Sequence, residues 1–303
     1  MIRLTDFDKK TPDPVGVECL TSPSGDIPVY EIHSFHSLTQ FIGFGKYLNR
    51  EAGNVYLRGQ TSLYSGALTP SALRGNRNRK TGITEPLNYE KRIGDYKHHI
   101  ALSLKNTKNF CDRDPDIMEP LLQHYGIKTY WLDIVDNVWI ALWFALHKTT
   151  STIIDNREYI HIYENDANEH AYILLIGCDA TKESQAQPGL YEGTSSVVVD
   201  LRKAVPSYFL RPHAQHALMV KKKGEHSLFT DYSDMVIAIA KISVADGLKW
   251  IGQTGLMSVQ SLFPPPYYDT GYASLLNEYR NQETYVNFRV CPKFCVNTEM
   301  RCK

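Results

Sequence analysis

The residues of this chain best suited to chemistry fall into four short blocks and one isolated acid. Tyr56-Leu57-Arg58-Gly59-Gln60 places an arginine, a glycine and an amide in a row. Arginine can grip two phosphate oxygens at once, glycine lets backbone approach a ligand, and glutamine both donates and accepts. Sixty residues later comes Leu121-Leu122-Gln123-His124-Tyr125-Gly126, then Leu132-Asp133, then Arg211-Pro212-His213-Ala214-Gln215. Glu192-Gly193-Thr194-Ser195-Ser196 sets an acid before a hydroxyl cluster.

Each residue has two readings. Arg58 is a ligand contact or half of a structural ion pair. His124 ends a helical pattern, where the dipole favours the imidazolium, so it is a proton donor or a cap for the last carbonyls. Asp133 is an active-site acid or, like Asp136, an N-cap for the apolar segment that follows. Arg211 and Gln215 precede a strand and divide the same way between ligand contact and structure.

Taken in order, these blocks resemble the FRG domain family of bacterial and phage proteins. That family is named for an aromatic-arginine-glycine block and contains Gln-His-Tyr-Gly, Leu-Asp before an apolar helix, and a later Arg-x-x-Ala-Gln. A fifth match, Ser261-Leu262-Phe263-Pro264, is similar to its closing Leu-Phe-Pro segment. The resemblance runs from about Val55 to Leu276 and has departures. Where the family reads Pro-Thr-Arg-Leu-Leu-Asp-Trp-Thr, this chain has Ile127-Lys128-Thr129-Tyr130-Trp131-Leu132-Asp133-Ile134-Val135. After Gln215, His216-Ala217-Leu218-Met219 replaces Gln-Gly-x-Phe.

The Tyr-x-Arg-Gly block also looks like the first strand of arginine-type ADP-ribosyltransferases, in which arginine positions NAD. The two resemblances imply a phosphate-bearing ligand, with NAD as substrate, and ADP-ribose transfer or NAD cleavage in a toxin or phage-defence setting. On that reading Arg58, Gly59, Gln60, Arg211 and Gln215 bind the ligand. His124, Tyr125, Asp133 and Glu192 supply stacking, proton transfer and the carboxylate that stabilises a ribosyl cation. The competing class is a non-enzymatic nucleic-acid- or protein-binding module using Arg74, Arg77, Arg79 and Lys80 with Lys221-Lys222-Lys223.

The elements that must position these residues can be read from periodicity. Apolar spacing predicts helices over 35–48, 87–104 and 117–125. A further helix over 138–147 is apolar on nearly every face, which makes it the buried centre of the domain. A short strand at 55–57 delivers Arg58, and the polar loop 61–78 forms the rim of a site. Strand-like segments follow at 159–163, 172–176, 196–201, 218–220 and 235–242. The expected fold is α+β, with a helical first half and a strand-rich second half forming a mainly antiparallel sheet. Residues 1–28 read as an irregular arm, 29–280 as the domain and 281–303 as a tail.

Composition sets the outer limits. The chain has 303 residues, 33 basic and 33 acidic side chains and 43% hydrophobic residues. That is enough to fill a core, without the net cationic field that would hold a polyanion. Its longest apolar run, nine residues, is well short of the roughly 20 that cross a bilayer, so cytoplasmic residence without a membrane partner is expected. Six scattered cysteines fit a reducing compartment, and Cys291, Cys295 and Cys302 lack the close pairing and fourth ligand of a zinc site. No Walker loop, Gly-x-Ser-x-Gly elbow, His-Glu-x-x-His or Gly-x-Gly-x-x-Gly is present, which removes the usual signals for P-loop, hydrolase, metalloprotease and dinucleotide folds.

Overall fold

The computed structural model describes residues 1–64, 68–72, 76–77, 84–85, 115–125, 129–154, 157–165, 169–224, 230–252, 257–265 and 267–273. In chain order these form β1 (Gly16–Leu20), β2 (Ile27–Ile32), α1 (Phe35–Asn49), β3 (Asn54–Gln60), β4 (Asn76–Arg77), β5 (Thr84–Glu85), α2 (Pro115–His124) and β6 (Leu132–Val135). Next are α3 (Val138–Leu146), β7 (His147–Ile154), β8 (Arg157–Glu164), β9 (His170–Cys178), β10 (Lys182–Glu183), β11 (Leu190–Glu192), β12 (Ser196–Asp200) and α4 (Leu201–Ala204). Last are α5 (Leu210–Ala214), β13 (Ala217–Lys222), β14 (Val236–Ser243), α6 (Val244–Ile251) and α7 (Val259–Leu262).

A ten-stranded sheet in the order β1-β2-β14-β9-β3-β6-β13-β12-β11-β10 organises the molecule. Its pairs are antiparallel except β2 with β14. The central strands are apolar on both faces because both are covered. On β9, Ala171, Ile173 and Leu175 join the core beneath α1 and α3, while Leu174, Ile176 and Cys178 join the opposite core. A two-sided strand of this kind reads as a nearly unbroken apolar run rather than an alternating one.

The first half of the chain is less helical than expected, because it contributes β1, β2, β3 and β6, four of the ten strands. Residues 1–28 include β1 and the first residues of β2, and their earliest part packs onto the domain. Leu4 and Phe7 are fully buried, and Phe7 packs edge-on against Tyr30 and Phe41 at 5.5 and 5.2 Å between ring centroids. The proposed helix over 87–104 and the 281–303 tail, with Cys291, Cys295 and Cys302, lie outside the described residues.

Helix α3 forms the centre of the domain. Leu142 and Trp143 are 0% and 2% exposed, but Trp139, in the first turn, is 42% exposed and corrects the expectation that it is buried with them. Neither Asp133 nor Asp136 caps this helix. Asn137 does, accepting from Trp139 N at 2.9 Å and Ile140 N at 3.3 Å. Asp133 instead lies on β6, while Asp136 takes both terminal nitrogens of Arg202 at 3.1 and 2.9 Å. Gly59 lets α3 rest directly on β3: a Cβ there would stand 2.0 Å from Ala141 O and 2.8 Å from Ala145 N. The absence of a side chain at Gly59 is therefore set by helix packing.

Candidate functional site

Because β3 ends beside α3, its last residues run out along a cavity of about 560 Å³, a volume ordinary for a small-molecule site. One wall is Arg58, Gly59 and Gln60, continued by Thr61, Ser62 and Tyr64. Facing residues come from Asp133 on β6, from Ala141 and Phe144 on α3, and from His147 and Lys148 just beyond it. His124, Gln215 and Phe263 also line it. Of the nine residues singled out by sequence, Arg58, Gly59, Gln60, His124, Asp133 and Gln215 meet at this cavity.

Arg58 is set into the wall by its neighbour on β6. Its Nη1 donates to Asp133 O at 2.7 Å and lies 3.6 Å from Asp133 Oδ2. The Asp133 carboxylate also accepts from Gln123 Nε2 at 3.2 Å, and Gln123 Oε1 accepts from the Thr129 hydroxyl. Thr129 Oγ1 in turn accepts from Trp131 N at 3.0 Å. A chain of hydrogen bonds thus ties the end of α2 to β6 and orients the Asp133 side chain, which is 53% exposed. At that exposure the Arg58–Asp133 charge pair contributes about 0 to 1 kcal/mol, so its effect is on position more than stability.

His124 differs from the cationic histidine expected at a helix terminus. Burial lowers its pKa from the ordinary 6.5 to about 4, against the opposing influence of Asp133, and the nearby Arg211 charge adds to the lowering. Its Nε2 is buried with no hydrogen-bond partner among the described residues. At neutral pH this favours the uncharged ring, so desolvation outweighs the helix dipole that would favour the imidazolium. Gln215, 5% exposed, donates through Nε2 to Leu262 O at 2.6 Å, which fixes the cavity wall against the segment carrying Phe263.

Tyr125 and Arg211 lie behind that wall, outside the lining. The Tyr125 hydroxyl donates to Asp269 Oδ2 at 2.6 Å, its ring stacks on Tyr272 at 5.1 Å, and burial raises its pKa. The Arg211 guanidinium stands 4.8 Å from the Tyr125 ring, 4.7 Å from that of Tyr272 and 5.4 Å from that of Phe263. Its Nη1 reaches His124 O at 3.4 Å. This aromatic cage supports the His124 side of the cavity from within.

Glu192 is elsewhere. It sits on β11, three strands from β6, or roughly 14 Å at the usual strand spacing, and accepts from Lys223 Nζ at 3.0 Å. Lys222 pairs with Asp234 at 2.8 Å and Lys221 lies over the Trp131 ring at 4.8 Å, so Lys222, like Lys223, has an acidic partner. The side chains of Arg74, Arg77, Arg79 and Lys80 lie outside the described residues.

Sequence reasoning missed Gln123 as the group holding Asp133, and it missed His147, Phe144 and Phe263 as lining, whereas Thr61, Ser62 and Tyr64 belong to the loop read as the rim. The signal for His147 was faint: it is the first polar side chain after nine apolar residues. Phe144 was visible only as one more apolar residue of that helix. No helix among the described residues is long and apolar enough to cross a membrane. No curated protein and no solved structure matches the chain. The family model of the FRG domain matches residues 53–152, about a third of the chain, ending before Arg211 and Gln215 but spanning Arg58, His124 and Asp133, and an FRG domain is therefore present there.

Proposed function

We propose that the cavity binds a phosphate-bearing nucleotide, with NAD as the candidate, and that the domain breaks the nicotinamide–ribose bond to release nicotinamide and pass ADP-ribose to water or a protein acceptor. The observation that carries this reading is the meeting of Arg58, Gln60, His124, Asp133 and Gln215, drawn from distant parts of the sequence, on one cavity that also has the aromatic walls Phe144 and Phe263. Arginine suits a pyrophosphate, and apolar rings suit a flat base.

The bond that breaks leaves its electron pair on the nicotinamide nitrogen and positive charge on the ribosyl carbon. Asp133, half-exposed in the cavity and held by Gln123, is the carboxylate placed to stabilise that charge. Asp133 is preferred to Glu192, which lies on β11 outside the lining of this cavity. Incubation with isotopically labelled NAD, with mass spectrometry for free nicotinamide and modified protein, tests the reading. Nicotinamide release is expected from the wild type and should fall about 10² to 10³-fold in Asp133→Asn. No release by the wild type contradicts the catalytic proposal.

A further inference from the structure

His147 is held by its own helix in a single orientation. It is the first residue after α3, and its Nδ1 lies 2.7 Å from Trp143 O, one helical turn back. A carbonyl oxygen only accepts, so Nδ1 must carry the proton, and in the neutral ring Nε2 carries the lone pair. The imidazole is clamped flat on the Trp143 indole, with centroids 4.1 Å apart and planes 14° from parallel. Its tautomer and its plane are both fixed by its own helix.

The ring lines the cavity, and with Nδ1 turned back on α3, Nε2 is the nitrogen available to a ligand. Phe144 and Phe263, 6.1 Å apart and edge to face, line the same space. We propose that His147 Nε2 accepts a hydrogen bond from an N–H donor carried on a flat heterocycle seated among these rings. Burial lowers the pKa of His147, with the hydrogen bond to Trp143 and the nearby Glu164 opposing it, which favours the neutral ring that carries this lone pair. The inference rests on the NAD reading and deepens it, since nicotinamide presents a carboxamide N–H and adenine an amino N–H.

Carbethoxylation by diethyl pyrocarbonate, mapped by mass spectrometry on the full chain, reads the lone pair directly because only an unprotonated, reachable nitrogen attacks the reagent. His147 is expected to react in the free protein at pH 7 and to react at least tenfold more slowly at saturating NAD. Nicotinamide and adenosine monophosphate as separate probes show which heterocycle protects it. His147→Asn keeps an N–H beside Trp143 O but removes Nε2, so NAD affinity in calorimetry should fall about tenfold with the melting temperature nearly unchanged. An unreactive His147, NAD binding without protection of His147, or wild-type affinity in His147→Asn each overturns the inference alone. Failure of the wild type to bind NAD overturns both the inference and the NAD reading.

Discussion

At the scale of single residues, the site separates groups that touch the cavity from groups that hold them. Arg58, Asp133, Gln60, His124 and Gln215 line it, whereas Gln123, Arg211, Tyr125 and Asp269 fix their positions. The neutral His124 has a thermodynamic consequence. Its folded pKa, about 4, lies below the ordinary 6.5, so between those values the unfolded chain binds more protons than the folded one. Its contribution is therefore complete above pH 6.5 and is lost as pH falls toward 4, by an amount on the order of 2 to 3 kcal/mol. Urea denaturation from pH 7 to 4 should show wild-type stability falling more steeply than that of His124→Gln. Parallel curves would mean that His124 titrates normally in the folded protein.

At the scale of elements, the contact between β3 and α3 decides where the site stands, and Gly59 permits that contact. Gly59→Ala would drive a Cβ against Ala141 O at 2.0 Å, and neither backbone can yield without moving strand from helix. A loss of more than about 3 kcal/mol, or failure to fold, is expected. Gly45→Ala is the matched comparison, since its nearest neighbour at 2.6 Å is the flexible end of the Leu175 side chain. Thermal melts should rank Gly45→Ala as the milder change, and equal melting temperatures would contradict this account of the packing. The apolar sequence of α3 announced its burial, but not the exposure of Trp139 or the choice of Asn137 as cap. Those depend on where the helix projects past the sheet, which periodicity does not encode.

At the scale of the whole molecule, one sheet gathers strands from both halves of the chain and carries a core on each face. The long strands of the second half were legible because their apolar runs are strong. β1 and β10 are the sheet's edge strands, β11 is three residues long and β6 four, so their pairing partners rather than their own composition make them strands. In the N-terminal segment, scattered Pro, Gly and Ser mask Leu4 and Phe7, which are buried in one cluster with Tyr30 of β2 and Leu38 and Phe41 of α1. Phe7→Ala should then cost about 3 to 5 kcal/mol in urea denaturation, as for an aromatic removed from any packed core. A cost below about 1 kcal/mol would show the segment to be an accessory.

The central claim, that the cavity beside Arg58 holds a phosphate-bearing ligand, is tested most directly by calorimetric titration with NAD alongside thermal melts of wild type, Arg58→Lys and Arg58→Ala. Lysine keeps the charge but loses the planar fork and the contact to Asp133 O, so both variants should bind roughly tenfold or more weakly, as expected for one charge-assisted hydrogen bond of about 1.5 to 3 kcal/mol. Because the pair with Asp133 is long and half-exposed, the melting temperatures should change little. Wild-type affinity in a stably folded Arg58→Ala variant, or no binding of NAD by the wild type, would contradict the claim.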